Sequence, residues 1–209
     1  MPGARHAAIR FAGASMFNQF VASGLAFFLA AIVFSLPGAA RGRADDAQAI
    51  LSNMNNLMSL VGTWSVLAEF HQKDGTLGYD AGTYKVSPVL EGTYLQLEVE
   101  LHDRDNPSKH HSFLTFITYN PVTGRYDSTY FYSRWALRVT ETGEYDPKRK
   151  EFHTTAFIPL EDGVHDEYVT TVMKLGNHDK IVYEHYSRYS DEKAARMNVV
   201  MTLTRLHAE

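Results

Sequence analysis

The sequence predicts an all-β fold, an antiparallel meander of about ten strands closed into one β-barrel behind a short N-terminal helix. Three observations predict it. Aromatic residues make up 12% of the 209 residues, and Tyr and Phe favour strands. From Val61 to the end the apolar period is two, interrupted at regular intervals by Gly, Pro, Asn and Asp. No helical pattern long enough for a parallel crossover falls between these runs, so neighbouring strands pair antiparallel. A meander of that length loses its exposed edges by closing on itself.

Residues 1–44 differ in chemistry from the rest. Arg5 and Arg10 precede an uncharged apolar run from Phe20 to Leu36, followed by the helix-breaking pair Pro37-Gly38. Small residues stand at the minus-three and minus-one spacing of a signal peptidase site, as Gly38 with Ala40 or Gly42 with Ala44. The segment reads as a secretory signal peptide, and the expected location is the periplasm or the exterior. The competing reading is an uncleaved membrane anchor, because the run approaches the shortest that spans a bilayer, roughly 17 residues.

Cleavage after Ala44 leaves 16 basic against 24 acidic residues. That acidic balance argues against nucleic acid, and against stable membrane association after cleavage. There is no cysteine, which excludes disulfides, thiolate metal sites and a lipid-anchored cysteine. About 165 residues remain, enough for one well-buried domain.

Residues 45–60 read as a short helical lead-in: Asp45 and Asp46 supply N-terminal charge, and Ile50, Met54, Leu57 and Met58 recur at spacings of three and four. Residues 61–209 read as the single barrel domain. Its first strand places Trp64, Val66, Ala68 and Phe70 on one face. The clearest strand runs from Thr93 to His102, with Leu95, Leu97, Val99 and Leu101 opposite Gln96, Glu98 and Glu100. The last, Met197 to Leu206, puts Met197, Val199, Met201, Leu203 and Arg205 on a shared face. Further strands are expected near Gly82–Val86, His111–Tyr119, Tyr126–Trp135, Leu137–Tyr145, Phe152–Pro159, His165–Leu175 and Lys180–Tyr189. Two of the turns share an aromatic spacing: Tyr119-Asn120-Pro121 ending in Tyr126, and Tyr145-Asp146-Pro147 ending in Phe152.

Leu60-Val61-Gly62-Thr63-Trp64 after a short helix resembles the opening of lipocalin-like (calycin) barrels. With Leu90-Glu91-Gly92-Thr93-Tyr94-Leu95, the two Tyr-Asn/Asp-Pro turns and the ending Thr202-Leu203-Thr204-Arg205, the chain resembles the bacterial DUF1579 proteins, a family of unknown function, from about Leu57 to Arg205. The loop Asp191-Glu192-Lys193-Ala194-Ala195 lengthens the final hairpin relative to that family. The resemblance implies a closed barrel with Arg205 lying across Trp64 as a plug. A guanidinium can stack on an indole while its donors satisfy backbone carbonyls, and Arg205 is anomalous on its apolar face without such a partner. The family carries no catalytic residues to transfer.

Candidate chemistry competes with plainer readings. His102, Asp103, Asp105, His110 and His111 form the densest group of metal-ligand types, yet His110 and His111 point to opposite faces of a strand and no zinc spacing is present. A polar loop around Asn106-Pro107 is favoured, with no metal. His185, sharing a face with Ile181 and Tyr183, is the candidate axial ligand for haem. The residues after Trp64 lack the glycine-rich extension of haem-binding barrels, so no cofactor is expected. Glu98 and Glu100 read as a solvated outer face, Asp166 and Glu167 face opposite ways, and Ser133, Arg134 and Trp135 lie near a strand end with no partner identifiable from spacing. Nucleophile-elbow, phosphate-loop and dinucleotide fingerprints are absent.

Two functional classes fit: a barrel holding a small apolar ligand, and a barrel enzyme (isomerase, cyclase or hydrolase) with an inward His or carboxylate. Binding is favoured, with catalytic residues none. Strand alternation in register with Trp64 puts Phe70, Leu97, Val99, Tyr183, His185 and Met201 against the ligand. The ligand is expected to be uncharged or to carry one anionic group, because no inward acid is evident to receive a cation.

Overall fold

The computed structural model describes residues 37–134, 138–159 and 166–207, with side chains from Ala44 onward. The apolar leader expected over residues 1–36 lies outside the described residues, as do Trp135, Gly163 and His165. Helix α1 spans Pro37–Met54 and runs into a 3₁₀ turn, Asn55–Leu60. The helix starts eight residues before the expected Asp45, so Asp45 and Asp46 fall inside it instead of at its N-terminus. Proline at the head of a helix is compatible with this start, because its missing N–H has no intrahelical partner there. Among the described residues no helix is long and apolar enough to cross a membrane.

Ten strands follow: β1 Gly62–His71, β2 Leu77–Val89, β3 Tyr94–Asp103, β4 His110–Asn120, β5 Arg125–Tyr132, β6 Arg138–Asp146, β7 Glu151–Pro159, β8 Asp166–Asn177, β9 Lys180–Tyr189 and β10 Arg196–Arg205. Each pairs antiparallel with its neighbours in sequence, and β10 pairs with β1 to close the barrel. The expected ten-strand antiparallel closure is what the chain adopts. β2 is more than twice the length anticipated, since Gly78 and Gly82 interrupt its pattern. Gly82 belongs in the strand because a Cβ there would come within 1.8 Å of the Glu100 carbonyl oxygen. Only a bare backbone lets β2 and β3 approach so closely.

Alternation puts the apolar residues inside. Leu95, Leu97, Val99 and Leu101 are buried, whereas Glu98 and Glu100 are exposed outside. The alternation fails once where it was trusted. A β-bulge between Met197 and Val199 leaves Val199 opposite His185 but Met197 opposite Tyr186. An extra residue in one strand shifts its side chains by one face, so Met197 does not share the inner face with Val199, Met201 and Leu203. Asn198, at the bulge, donates a hydrogen bond to the fully buried Ser187 hydroxyl.

One end of the barrel is closed by the lead-in. Met54, Leu57 and Leu60 are essentially inaccessible and pack with Trp64 in the main core cluster. Tyr126 ties the helix to the wall: its hydroxyl donates to the Asn53 carbonyl (2.8 Å) and accepts from the Asn56 amide (3.2 Å).

Candidate functional site: an inward cavity with a polar belt

Trp64 and Arg205 are direct cross-strand partners at the closed end. The guanidinium carbon stands 4.0 Å from the indole ring centre. Its nitrogens donate to three carbonyls: Nε to His178 (2.6 Å), Nη1 to Val61 (2.8 Å) and Nη2 to Ser59 (2.7 Å). Trp64 is fully buried, and its Nε1 donates to the Leu60 carbonyl at 2.9 Å. Gly62, at φ +138°, leaves room for this arrangement, since a Cβ would stand 2.5 Å from Arg205 Nη1. The end of the 3₁₀ turn and the last strand are thus joined through main-chain oxygens that would otherwise be orphaned.

Above this cap lies an internal cavity of about 260 Å³. Phe70, Leu97, Val99, Tyr183, His185 and Met201 all line it. Its wall is unequal around the barrel. Strands β10, β1, β2, β3 and β4 contribute mainly apolar and aromatic side chains, among them Val199, Phe70, Tyr84, Leu101, Phe113 and Ile117, with Thr115 as the one aliphatic hydroxyl. Strands β5 to β9 contribute a contiguous polar belt.

The belt follows from register. Ser128 on β5 is opposite Glu141 on β6. Thr154 on β7 is opposite Thr171 on β8, and Thr171 is opposite His185 on β9. Thr154 lies opposite Gly143, two residues from Glu141, and its hydroxyl crosses that diagonal to donate to Glu141 Oε2 at 3.0 Å. Gly143 permits the approach: a Cβ there would meet the His153 carbonyl at 2.6 Å and the Thr154 methyl at 2.7 Å. The belt ends where Ser128 meets Ile117 on one side and where His185 meets Val199 on the other.

Glu141 is 8% exposed, and burial pushes its carboxyl above the ordinary glutamate value, against the opposing effect of hydrogen bonds from Thr154 and Ser128. His185 is shifted the other way. Burial lowers its imidazole to about 4, so the ring is neutral at physiological pH. Among the described residues no partner hydrogen-bonds its Nδ1. Burial also raises Tyr84, Tyr130 and Tyr183 beyond any range in which they ionise. No Lys or Arg lines the cavity among the described residues.

Glu141 overturns the expectation that no inward acid exists. The signal was present in the sequence: in Val139-Thr140-Glu141-Thr142-Gly143-Glu144-Tyr145, Glu141 has the parity of Val139 and Tyr145. A charged residue on an apolar face marks a buried site, as Arg205 did on β10.

The other candidates fall elsewhere. His102 and His110 pair across the β3–β4 ladder, His110 outward, while Asp103 accepts from the backbone N–H groups of Asp105 and Asn106 to shape the turn. His111 points inward near the far end, 3.4 Å from Asp80, among Phe70, Phe113 and Tyr132. Burial lowers its imidazole and raises the Asp80 carboxyl. Among the described residues no cluster of three or more metal-ligand side chains occurs. Ser133 and Arg134 are exposed in the turn after β5 and bind backbone at Ser112 and His110. Glu167 is inward but outside the cavity lining, and Asp166 lies on the opposite parity.

A closed antiparallel barrel with a capped end and an internal cavity defines a lipocalin-like protein. The chain belongs to the family described as Protein of unknown function (DUF1579), matched over residues 52–205. No curated protein matches the sequence. Among solved structures the fold is similar to the S-type phycobiliprotein lyase CPES from Guillardia theta, at 10% identity and a TM-score of 0.53, covering 78% of this chain and 98% of that one. At that identity the likeness concerns the fold alone.

Proposed function

We propose that this domain is an exported binding protein that holds a small, largely apolar ligand in the barrel. The observation that carries the reading is the cavity itself. It is mostly apolar, and its few polar groups converge from adjacent strands, the arrangement by which a binding site gains affinity from its walls and orientation from a few contacts. His185 Nδ1 adds support, because a buried imidazole nitrogen without a protein partner is costly unless something supplies the missing hydrogen bond. The similarity to a lyase of the same fold is compatible with a ligand-holding barrel and adds nothing about which ligand.

The test uses protein purified from its own host. Solvent extraction with mass spectrometry is expected to recover a retained compound, which displaces an environment-sensitive dye from the barrel. N-terminal sequencing of the same sample is expected to begin near Arg41 or Asp45. A dye that never binds defeats the reading, and intact Met1 in the membrane fraction supports the uncleaved anchor over a cleaved signal peptide. Glu141 and His185 lining one cavity also favour a barrel enzyme as the second reading. Recovery of the compound chemically altered after incubation would move the assignment there.

A further inference from the structure

The charge of the cavity wall restricts what it can hold. Among its described lining residues, Glu141 and His185 are the carboxyl and the imidazole; burial raises the first and holds the second neutral. No lysine or arginine reaches the lining, so an anion placed there would face the Glu141 carboxyl without a counter-charge. Arg205 is engaged with three carbonyls at the closed end, and Arg134, in the turn at the far rim, is engaged with the His110 carbonyl and with Tyr132. The sequence-based expectation of an anionic group is left with His185 as its partner in the lining, a ring that burial keeps neutral.

Size adds a second limit. A cavity of roughly 150 Å³ accommodates benzene, so about 260 Å³ suits one ring or two fused rings. Polarity adds a third. The belt from Ser128 to His185 occupies five neighbouring strands, and the opposite wall is mainly apolar and aromatic. A ligand oriented by this wall has an apolar body and a polar edge.

Building on the ligand-binding reading, we propose that the cavity selects one- or two-ring compounds carrying a basic nitrogen, with Glu141 as the residue that recognises that nitrogen. Ser128 and Thr154 hold the carboxyl in place from the two flanking strands. At neutral pH the amine arrives as its ammonium ion and pairs with the Glu141 carboxylate; any proton still on the carboxyl leaves to solvent as the pair forms, so no covalent bond of the ligand changes. The product is an ammonium–carboxylate pair, whose charge-assisted hydrogen bond is about twice as strong as a neutral one. His185, neutral and unpartnered at Nδ1, provides a second polar contact along the same edge.

The experiment compares three ligands of nearly equal shape by calorimetry at neutral pH: 1-naphthylmethylamine, 1-naphthalenemethanol and 1-naphthoic acid. The amine is expected to bind at least tenfold more tightly than the alcohol, and the acid more weakly than either. Glu141→Gln, which preserves shape and one acceptor oxygen but carries no charge, is expected to remove the advantage of the amine while leaving the alcohol within about threefold. Thermal melts of the variant confirm that it is folded. Binding of the alcohol without preference for the amine, or a preference surviving Glu141→Gln, overturns the proposal and leaves the ligand-binding reading standing. Failure of all three to bind likewise overturns the proposal, and the dye test decides separately whether the ligand-binding reading stands.

Discussion

The closed end of the barrel and the belt above it are both polar constructions inside an apolar wall, and they treat their polar atoms in opposite ways. At the closed end Arg205, Trp64 and Tyr126 direct their donors to carbonyls of the lead-in and neighbouring turns. In the belt Glu141 receives hydroxyls from two sides, while His185 keeps a ring nitrogen without a partner. The contrast separates groups that hold the fold from groups held by it. A satisfied buried polar group contributes stability, and an unsatisfied or desolvated one lowers it.

The largest expected effect lies at the closed end. Arg205→Ala removes the stacking on Trp64 and leaves carbonyls unpaired, and is expected to lower stability by about 2–4 kcal/mol in denaturant melts. A loss under about 0.5 kcal/mol, as for an exposed surface substitution, would break the comparison from that side.

The belt is expected to behave differently, through pH. The unfolded chain protonates His185 near 6.5, whereas the folded barrel does so only near 4. The contribution of the neutral ring to stability is therefore full above pH 6.5 and is lost as pH falls towards 4, by about 2–3 kcal/mol. Urea melts across that window should show a shallower acid limb for His185→Phe. Parallel limbs in parent and variant would mean the imidazole is hydrated, and the contrast would weaken.

The smallest effect has the opposite sign. Burial raises the Glu141 carboxyl, so its contribution is full below the ordinary glutamate value of 4.5 and is lost as pH rises through the folded value. Glu141→Gln cannot ionise and keeps one acceptor oxygen, while its amide nitrogen can donate to a hydroxyl oxygen of Thr154 or Ser128. It should be more stable than the parent at pH 7 by on the order of 1 kcal/mol, the gap closing towards pH 4. Equal stability at both pH values would show that the carboxyl is not strained by burial, and would sharpen the comparison to His185 alone.

Strand number, order and the inward parity of most residues were legible because alternation is local: a strand such as β3 declares its faces within ten residues. The anomaly of Arg205 on an apolar face was legible by the same rule, and Glu141 obeyed it equally. What the sequence could not provide is the alignment of Ser128, Glu141, Thr154, Thr171 and His185. That depends on the register of four successive ladders, and a shift by one residue in any of them would scatter the belt. Met197 marks a second limit, since the bulge beside Asn198 has no glycine or proline to announce it. The early start of α1 at Pro37 marks a third, because helix-breaking and helix-starting proline look alike before the following turn is known.

The seam between β1 and β10 stands apart in how the chain must assemble. Every other ladder joins strands adjacent in sequence and can zip outward from its own turn, but this one requires the two ends of the domain to find each other, the step that loop-closure entropy makes slowest. Arg205 bridges that seam with hydrogen bonds spanning 144 and 146 residues. With that seam unmade, β1 and β10 would each expose an unpaired edge, an arrangement prone to pairing with other chains. The guanidinium that closes one end of the cavity also fastens that seam, and its loss is expected to appear as aggregation during refolding as well as in the melting midpoint.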